Sequence, residues 1–150
     1  MNSTIFVSTP ITGFNSSQEF LLFKEYALVV IDRLKKLGYT VFNEFEHISD
    51  ENDFDSPSKS VDEDFKIIEK TEIFILIHPR KMQTSTLIEL GYACACRKKI
   101  VIISEYNDLP FLAKGLSNSL INACLLDYNN DITVTLDSLT KVLPPVNIVL

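Results

Sequence analysis

The chain has 150 residues, of which 46% are hydrophobic and 23% charged, and a formal net charge of −6. That length and balance describe one ordinary soluble globular domain with room for a proper core. An acidic chain without a basic stripe does not suit nucleic acid, no apolar run approaches the ~20 residues that span a bilayer, and the N-terminus lacks the basic start and long apolar core of a signal peptide.

Thr4-Ile5-Phe6-Val7-Ser8 reads as a first strand. The turn Thr9-Pro10-Ile11-Thr12-Gly13 follows, punctuated by its proline and glycine. Ser16 or Ser17 caps a long helix to about Leu37. Its apolar positions Phe20, Phe23, Ala27, Val30, Ile31, Leu34 and Leu37 recur at three- and four-residue steps and predict one buried stripe. Gly38 stands where a left-handed C-cap is wanted. Tyr39-Thr40-Val41-Phe42 is the second strand.

Asn43 to Lys59 is polar and acidic, with Asp50, Glu51, Asp53 and Asp55. It is too long for a minimal connection and reads either as a flap over a site or as a solvated loop. Ser58 or Ser60 caps a helix from about Val61 to Lys70, with Phe65, Ile68 and Val61 toward the core. Ile73 to Ile77 is an unbroken apolar run, suited to a strand buried on both faces. His78-Pro79 ends it. Thr84, Ser85 and Thr86 offer N-caps for a helix from Leu87 to about Arg97, and Ile100 to Ile103 is a fourth strand. Asp108-Leu109-Pro110 opens a short helix through Lys114, Ala123 to Leu126 is a fifth strand, and Ile132 to Val142 a last helix. The tail Pro144 to Leu150 is apolar and suited to docking on a neighbour. The basic clusters Arg33-Leu34-Lys35-Lys36 and Arg97-Lys98-Lys99 fall at helix C-termini, where they complement the dipole.

Strands alternating with helices imply a parallel sheet with helices on both faces. The expected fold is a flavodoxin-like (Rossmann-like) α/β three-layer sandwich of five strands in the order 2-1-3-4-5, spanning residues 1–150. Its switch point lies between the first and third strands, which sets the Ser8–Gly13 turn beside the loop before Glu89. Cys94, Cys96 and Cys124 read as small buried hydrophobes in a reducing cytoplasm, and the expected location is cytoplasmic.

GxGxxG, GxxxxGK[ST] and GxSxG are all missing from the sequence. His47 and His78 lack ligand spacing, so no metal site is expected. Carboxylates remain. Asp64 belongs to Asp62-Glu63-Asp64, which reads either as dipole-favouring acids in a first helical turn or as a ligand contact. Glu89 reads equally as the partner of Thr86 in a capping box or as an acid aimed into the ligand crevice.

Ile88-Glu89-Leu90-Gly91-Tyr92-Ala93, followed by Lys98 to Ile103, resembles the signature of the nucleoside 2-deoxyribosyltransferases and of the related 2′-deoxynucleoside 5′-monophosphate N-hydrolases. Phe6 to Gly13 is similar to their first strand and substrate turn, and Asp64 to Ile68 to the segment before their third strand; the likeness covers roughly residues 4 to 104. It implies N-glycosidic cleavage or transfer on a (deoxy)nucleoside or nucleotide through a covalent glycosyl-enzyme. Glu89 would be the nucleophile, and Asp64 would bind the base or sugar and manage a proton. Ser8, Thr9, Thr12 and Gly13 would line the sugar pocket, with Gln83, Ser85, Thr86 and Tyr92 as further substrate contacts. No cofactor is implied. The partner is a small-molecule nucleoside or nucleotide, and the assembly a homo-oligomer, a dimer or higher. Gln83 stands where the transferases carry an acid, and Thr84-Ser85-Thr86 replaces their glycines. Hydroxyls and N–H groups at a helix start suit an anion, which turns the expectation toward a nucleotide. The alternative is a module that binds nucleotides or a nucleotide signal without turning them over.

Overall fold

The computed structural model describes residues 3–46, 56–120 and 122–146. Five strands, β1 (Thr4–Ser8), β2 (Thr40–Phe42), β3 (Ile73–Ile77), β4 (Lys99–Ile103) and β5 (Ala123–Leu126), form one parallel sheet in the order β2-β1-β3-β4-β5. Five helices cover it: α1 (Ser17–Lys36), α2 (Pro57–Lys70), α3 (Thr86–Ala95), α4 (Phe111–Ser119) and α5 (Ile132–Val142). The expected α/β fold and strand order are the observed ones.

The register puts Ile5 beside Ile73 and Ser8 beside Leu76, and β3 beside β4 from Ile73–Lys99 to Ile77–Ile103. Because side chains alternate across a strand, this register separates two cores. Ile5, Val7, Ile75 and Val101 meet the α1 stripe and Leu139 of α5. Phe6, Phe74, Leu76 and Ile102 meet Ile68 of α2, Leu90 and Ala93 of α3 and Ala113 of α4. All five residues of β3 are buried, as a strand covered on both faces requires.

The helix ends follow local chemistry. The Ser16 hydroxyl accepts from the Glu19 amide and caps α1. Gly38 adopts φ +92° after the last turn, and its amide donates to the Lys35 carbonyl. Three helices differ in extent from expectation. Helix α2 begins a turn earlier, at Pro57, with Ser56 rather than Ser58 or Ser60 as its cap; proline presets the first helical φ and has no amide to orphan. Helix α3 stops at Ala95, because Arg97 takes φ 56° and turns the chain into β4. Helix α4 runs on past Lys114 to Ser119, since Leu116 packs against the second core.

The tail does not reach outward in its described part. The Tyr39 hydroxyl donates to the Pro144 carbonyl, and Val146 packs on the first core near Gly38. Residues 147–150 lie outside the described residues, as do His47, Asp50, Glu51, Asp53 and Asp55 of the expected flap. No helix among the described residues is long and apolar enough to cross a membrane.

Candidate active site

At the carboxyl edge of a parallel sheet the chain leaves β1 toward one side and β3 toward the other, and the gap between those exits is where a ligand fits. Here the gap is a cleft of about 280 Å³. The β1–α1 turn contributes Thr9, Ile11 and Thr12; the segment after β2 contributes Glu44. Ser60, Val61, Asp64 and Phe65 line it from α2, and Ser85, Thr86, Ile88 and Glu89 from the start of α3.

Glu89 is not a cap. Ser85, not Thr86, is the N-cap of α3, and it makes no side-chain cap hydrogen bond. Glu89 therefore sits one position too far along for a capping box. Its Oε2 instead accepts from the hydroxyl of Ser8, the buried last residue of β1, which shares a face of the strand with Phe6 on the α3 side of the sheet. Burial pushes the carboxyl up to about 8; the Ser8 hydrogen bond opposes that, and the charges of Asp64 and Glu44 add to it.

Asp64 also departs from its bland reading. With α2 starting at Pro57, the first turn holds no acid, so Asp62-Glu63-Asp64 falls beyond the reach of the helix dipole. Asp64 points into the cleft and meets Glu44. Burial first, then the charge and hydrogen bonding of Glu44, raise its carboxyl to about 7, and Glu44 is itself raised by burial. Two acids in hydrogen-bond contact inside a cleft hold a proton between them.

The remaining candidates divide. Thr9 is fixed from behind: Asn43 Nδ2 donates to the Val7 carbonyl at 2.7 Å and to Thr9 Oγ1 at 3.1 Å, tying the end of β1 to the end of β2. Thr12, Ser85 and Thr86 reach the cleft wall. Gly13, Gln83 and Tyr92 do not. Gly13, at φ +92°, is a packing point: a Cβ there would stand 3.1 Å from Met82 Cε and 3.4 Å from the Gln83 carbonyl. Gln83 is exposed. Tyr92 turns away, donating its hydroxyl to Glu69 and stacking on Phe65. A residue three positions after Glu89 lies over a neighbouring stripe of the helix, which here faces α2.

Sequence reasoning missed Glu44, Arg80 and the cleft role of Phe65. Glu44 was concealed in the long acidic segment, although an acid right after a parallel strand is at the ligand edge by topology. Arg80 joins two loops: Nε donates to Glu19 Oε1 at 2.6 Å and Nη2 to the Gly13 carbonyl at 2.6 Å. Phe65 and Val61 were expected in the core; Ile68 alone on that stripe is buried, while the N-terminal half of α2 overhangs the cleft. His78 is buried at the end of β3, and that burial holds its imidazole below its ordinary value and therefore neutral at pH 7.

No protein-family model and no curated protein matches the chain. Among solved structures it superposes on the CMP N-glycosidase BcmB of Clostridium botulinum with a TM-score of 0.71, at 23% identity over 94% of this chain and 100% of that one. The solution structure of BlsM gives a TM-score of 0.70, at 23% identity over 91% of this chain and 86% of that one. A conserved protein from Enterococcus faecalis V583 gives 0.59, at 11% identity over 95% and 100%. At these identities the likeness is one of fold.

Proposed function

We propose that this protein cleaves the N-glycosidic bond of a (deoxy)nucleoside 5′-monophosphate, with Glu89 as nucleophile and water as final acceptor. One observation carries the reading: the Glu89 carboxylate is held by Ser8 on the wall of a cleft, with a proton-sharing pair, Glu44 and Asp64, lining the same cleft. The carboxylate attacks the anomeric carbon while the acid pair gives its proton to the departing base, whose nitrogen keeps the electrons of the broken bond. Water then attacks the same carbon, frees Glu89, and returns a proton to the pair. Thr9 and Thr12 offer hydroxyls to the sugar. Ser85 and Thr86, at the positive end of α3, suit the phosphate, and the Ser85 hydroxyl is not spent on capping. Hydrolysis is favoured over transfer because the fold neighbour BcmB is a CMP N-glycosidase and because Gln83 replaces the acid expected of a transferase.

The test is to incubate the protein with nucleosides and nucleoside 5′-monophosphates and measure free base. Release from a monophosphate, lowered about 10³-fold or more by Glu89→Gln, is the expected result. Mass spectrometry of protein quenched during turnover should show a sugar-phosphate adduct on Glu89. A second reading, binding without turnover, is favoured by the raised Glu89 carboxyl, which at about 8 is mostly protonated at pH 7. Nucleotide binding with no base release by the parent selects it. Homo-oligomeric assembly is proposed alongside: Phe111 and Leu112, 88% and 81% exposed at the start of α4, are apolar surface that a second copy would cover. Light scattering measures it.

A further inference from the structure

We propose that the ring of Phe65 is the stacking surface for the nucleobase, and that Tyr92 is the positioning residue that holds this ring flat. The inference rests on the proposed nucleotide site and names its base-binding wall.

The two rings lie parallel, with centroids 3.8 Å apart and planes 5° apart. Phenyl-type rings alone prefer offset or edge-to-face contacts. This protein uses those in its first core, where Phe14–Phe20, Phe20–Phe45 and Phe23–Phe45 meet at 67°, 85° and 76°. Phe6 and Phe74 in the second core are also parallel, at 6°, but with centroids 5.8 Å apart; the Phe65–Tyr92 pair is the closer stack and lies at the edge of the cleft. Tyr92 is anchored by its hydroxyl on Glu69, one turn further along α2, so both ends of the pair are tied to the same two helices. One face of Phe65 is thus covered, and the uncovered one is what it can offer a ligand. Phe65 neighbours Asp64 on α2, and Val61, one turn earlier, continues the apolar wall. A base lying on Phe65 would turn its edge toward the acid pair. Every base has a π face, so such a platform contributes affinity whichever base is bound.

The experiment measures binding of CMP, AMP and ribose 5-phosphate to the Glu89→Gln protein, which does not turn them over, with and without Phe65→Leu. Leucine keeps the apolar bulk and removes the π face. Phe65→Leu should weaken both nucleotides about 10-fold or more, change ribose 5-phosphate less than about 2-fold, and abolish the loss of 260 nm absorbance that stacking produces in the bound base. Phe65→Tyr should retain both signals. Tyr92→Leu should weaken nucleotide binding with Phe65 still present, and Tyr92→Phe, which keeps the covering ring but loses the Glu69 anchor, should restore only part of it. In turnover, Phe65→Leu should raise KM more than it lowers kcat. Nucleotide affinity unchanged by Phe65→Leu would overturn the platform and leave the proposed reaction standing. If Phe65→Leu does not fold, a bound nucleotide that keeps its full absorbance on the unsubstituted ring overturns it as well. Failure of any nucleotide to bind would instead remove the proposed function, and the platform with it.

Discussion

Replacing Glu89 by glutamine should make this protein more stable, and only above acidic pH. The folded carboxyl titrates at about 8 against an ordinary 4.5, with burial the main cause. A carboxyl raised in the folded state contributes its full stability below pH 4.5 and loses it as pH climbs toward 8. Each pH unit in that window costs about 1.4 kcal/mol, so keeping the carboxyl protonated at pH 7 costs about 3 kcal/mol. Glutamine cannot ionise, and its amide oxygen still accepts from Ser8. The gap between variant and parent should therefore be near zero at pH 4.5 and about 3 kcal/mol at pH 7. At ~2–4 °C per kcal/mol for a chain of this size, the melting temperature should rise by roughly 6–12 °C at pH 7. Circular dichroism melts at pH 4.5, 7 and 8.5 read this directly, and base release measured on the same samples should be lost. A helix-capping glutamate predicts no gain at any of these pH values, since glutamine serves a capping box as well as glutamate does. A variant no more stable than the parent at pH 7, or a gain equal at all three pH values, refutes the placement of this acid as a desolvated group in the cleft.

Base release should follow a bell in pH with limbs near 7 and 8, because one group of the acid cluster must be ionised and another protonated. Asp64→Asn should collapse that bell to a single limb; an unchanged profile would exclude Asp64 from the titrating cluster. Ser8→Ala removes the hydrogen bond that lowers the Glu89 carboxyl, so the limb near 8 should move to higher pH and kcat should fall, which pH–rate curves of the variant can contradict. Gly13→Ala places a Cβ at φ +92° against Met82 and should destabilise by about 1–2 kcal/mol while raising KM, since the turn carries Thr12; thermal melts and initial rates measure both.

Periodicity carries little information on where an element's polar residues meet, and the cleft shows the difference. The α1 stripe, the unbroken β3 run and Gly38 each encode their own structure locally, so helix, buried strand and C-cap were legible residue by residue. Glu89 was legible as one of two things, and the choice turned on a contact 81 residues away in sequence, with Ser8. Asp64 was likewise legible as one of two things, and one proline bore on the choice by moving the helix start by a turn and with it the meaning of every acid that followed. Glu44 was invisible because its partner lies on another element.

By itself, then, the chain determined its elements and their order across the sheet, because alternation of apolar runs with amphipathic stripes and the right-handed crossover rule leave little choice. Only the tertiary structure decided the electrostatics of the cleft. A carboxyl's charge state depends on which neighbours desolvate it and which donate to it. Ser8, Glu44, Asp64 and Glu89 come from four different elements and meet only when the sheet is assembled.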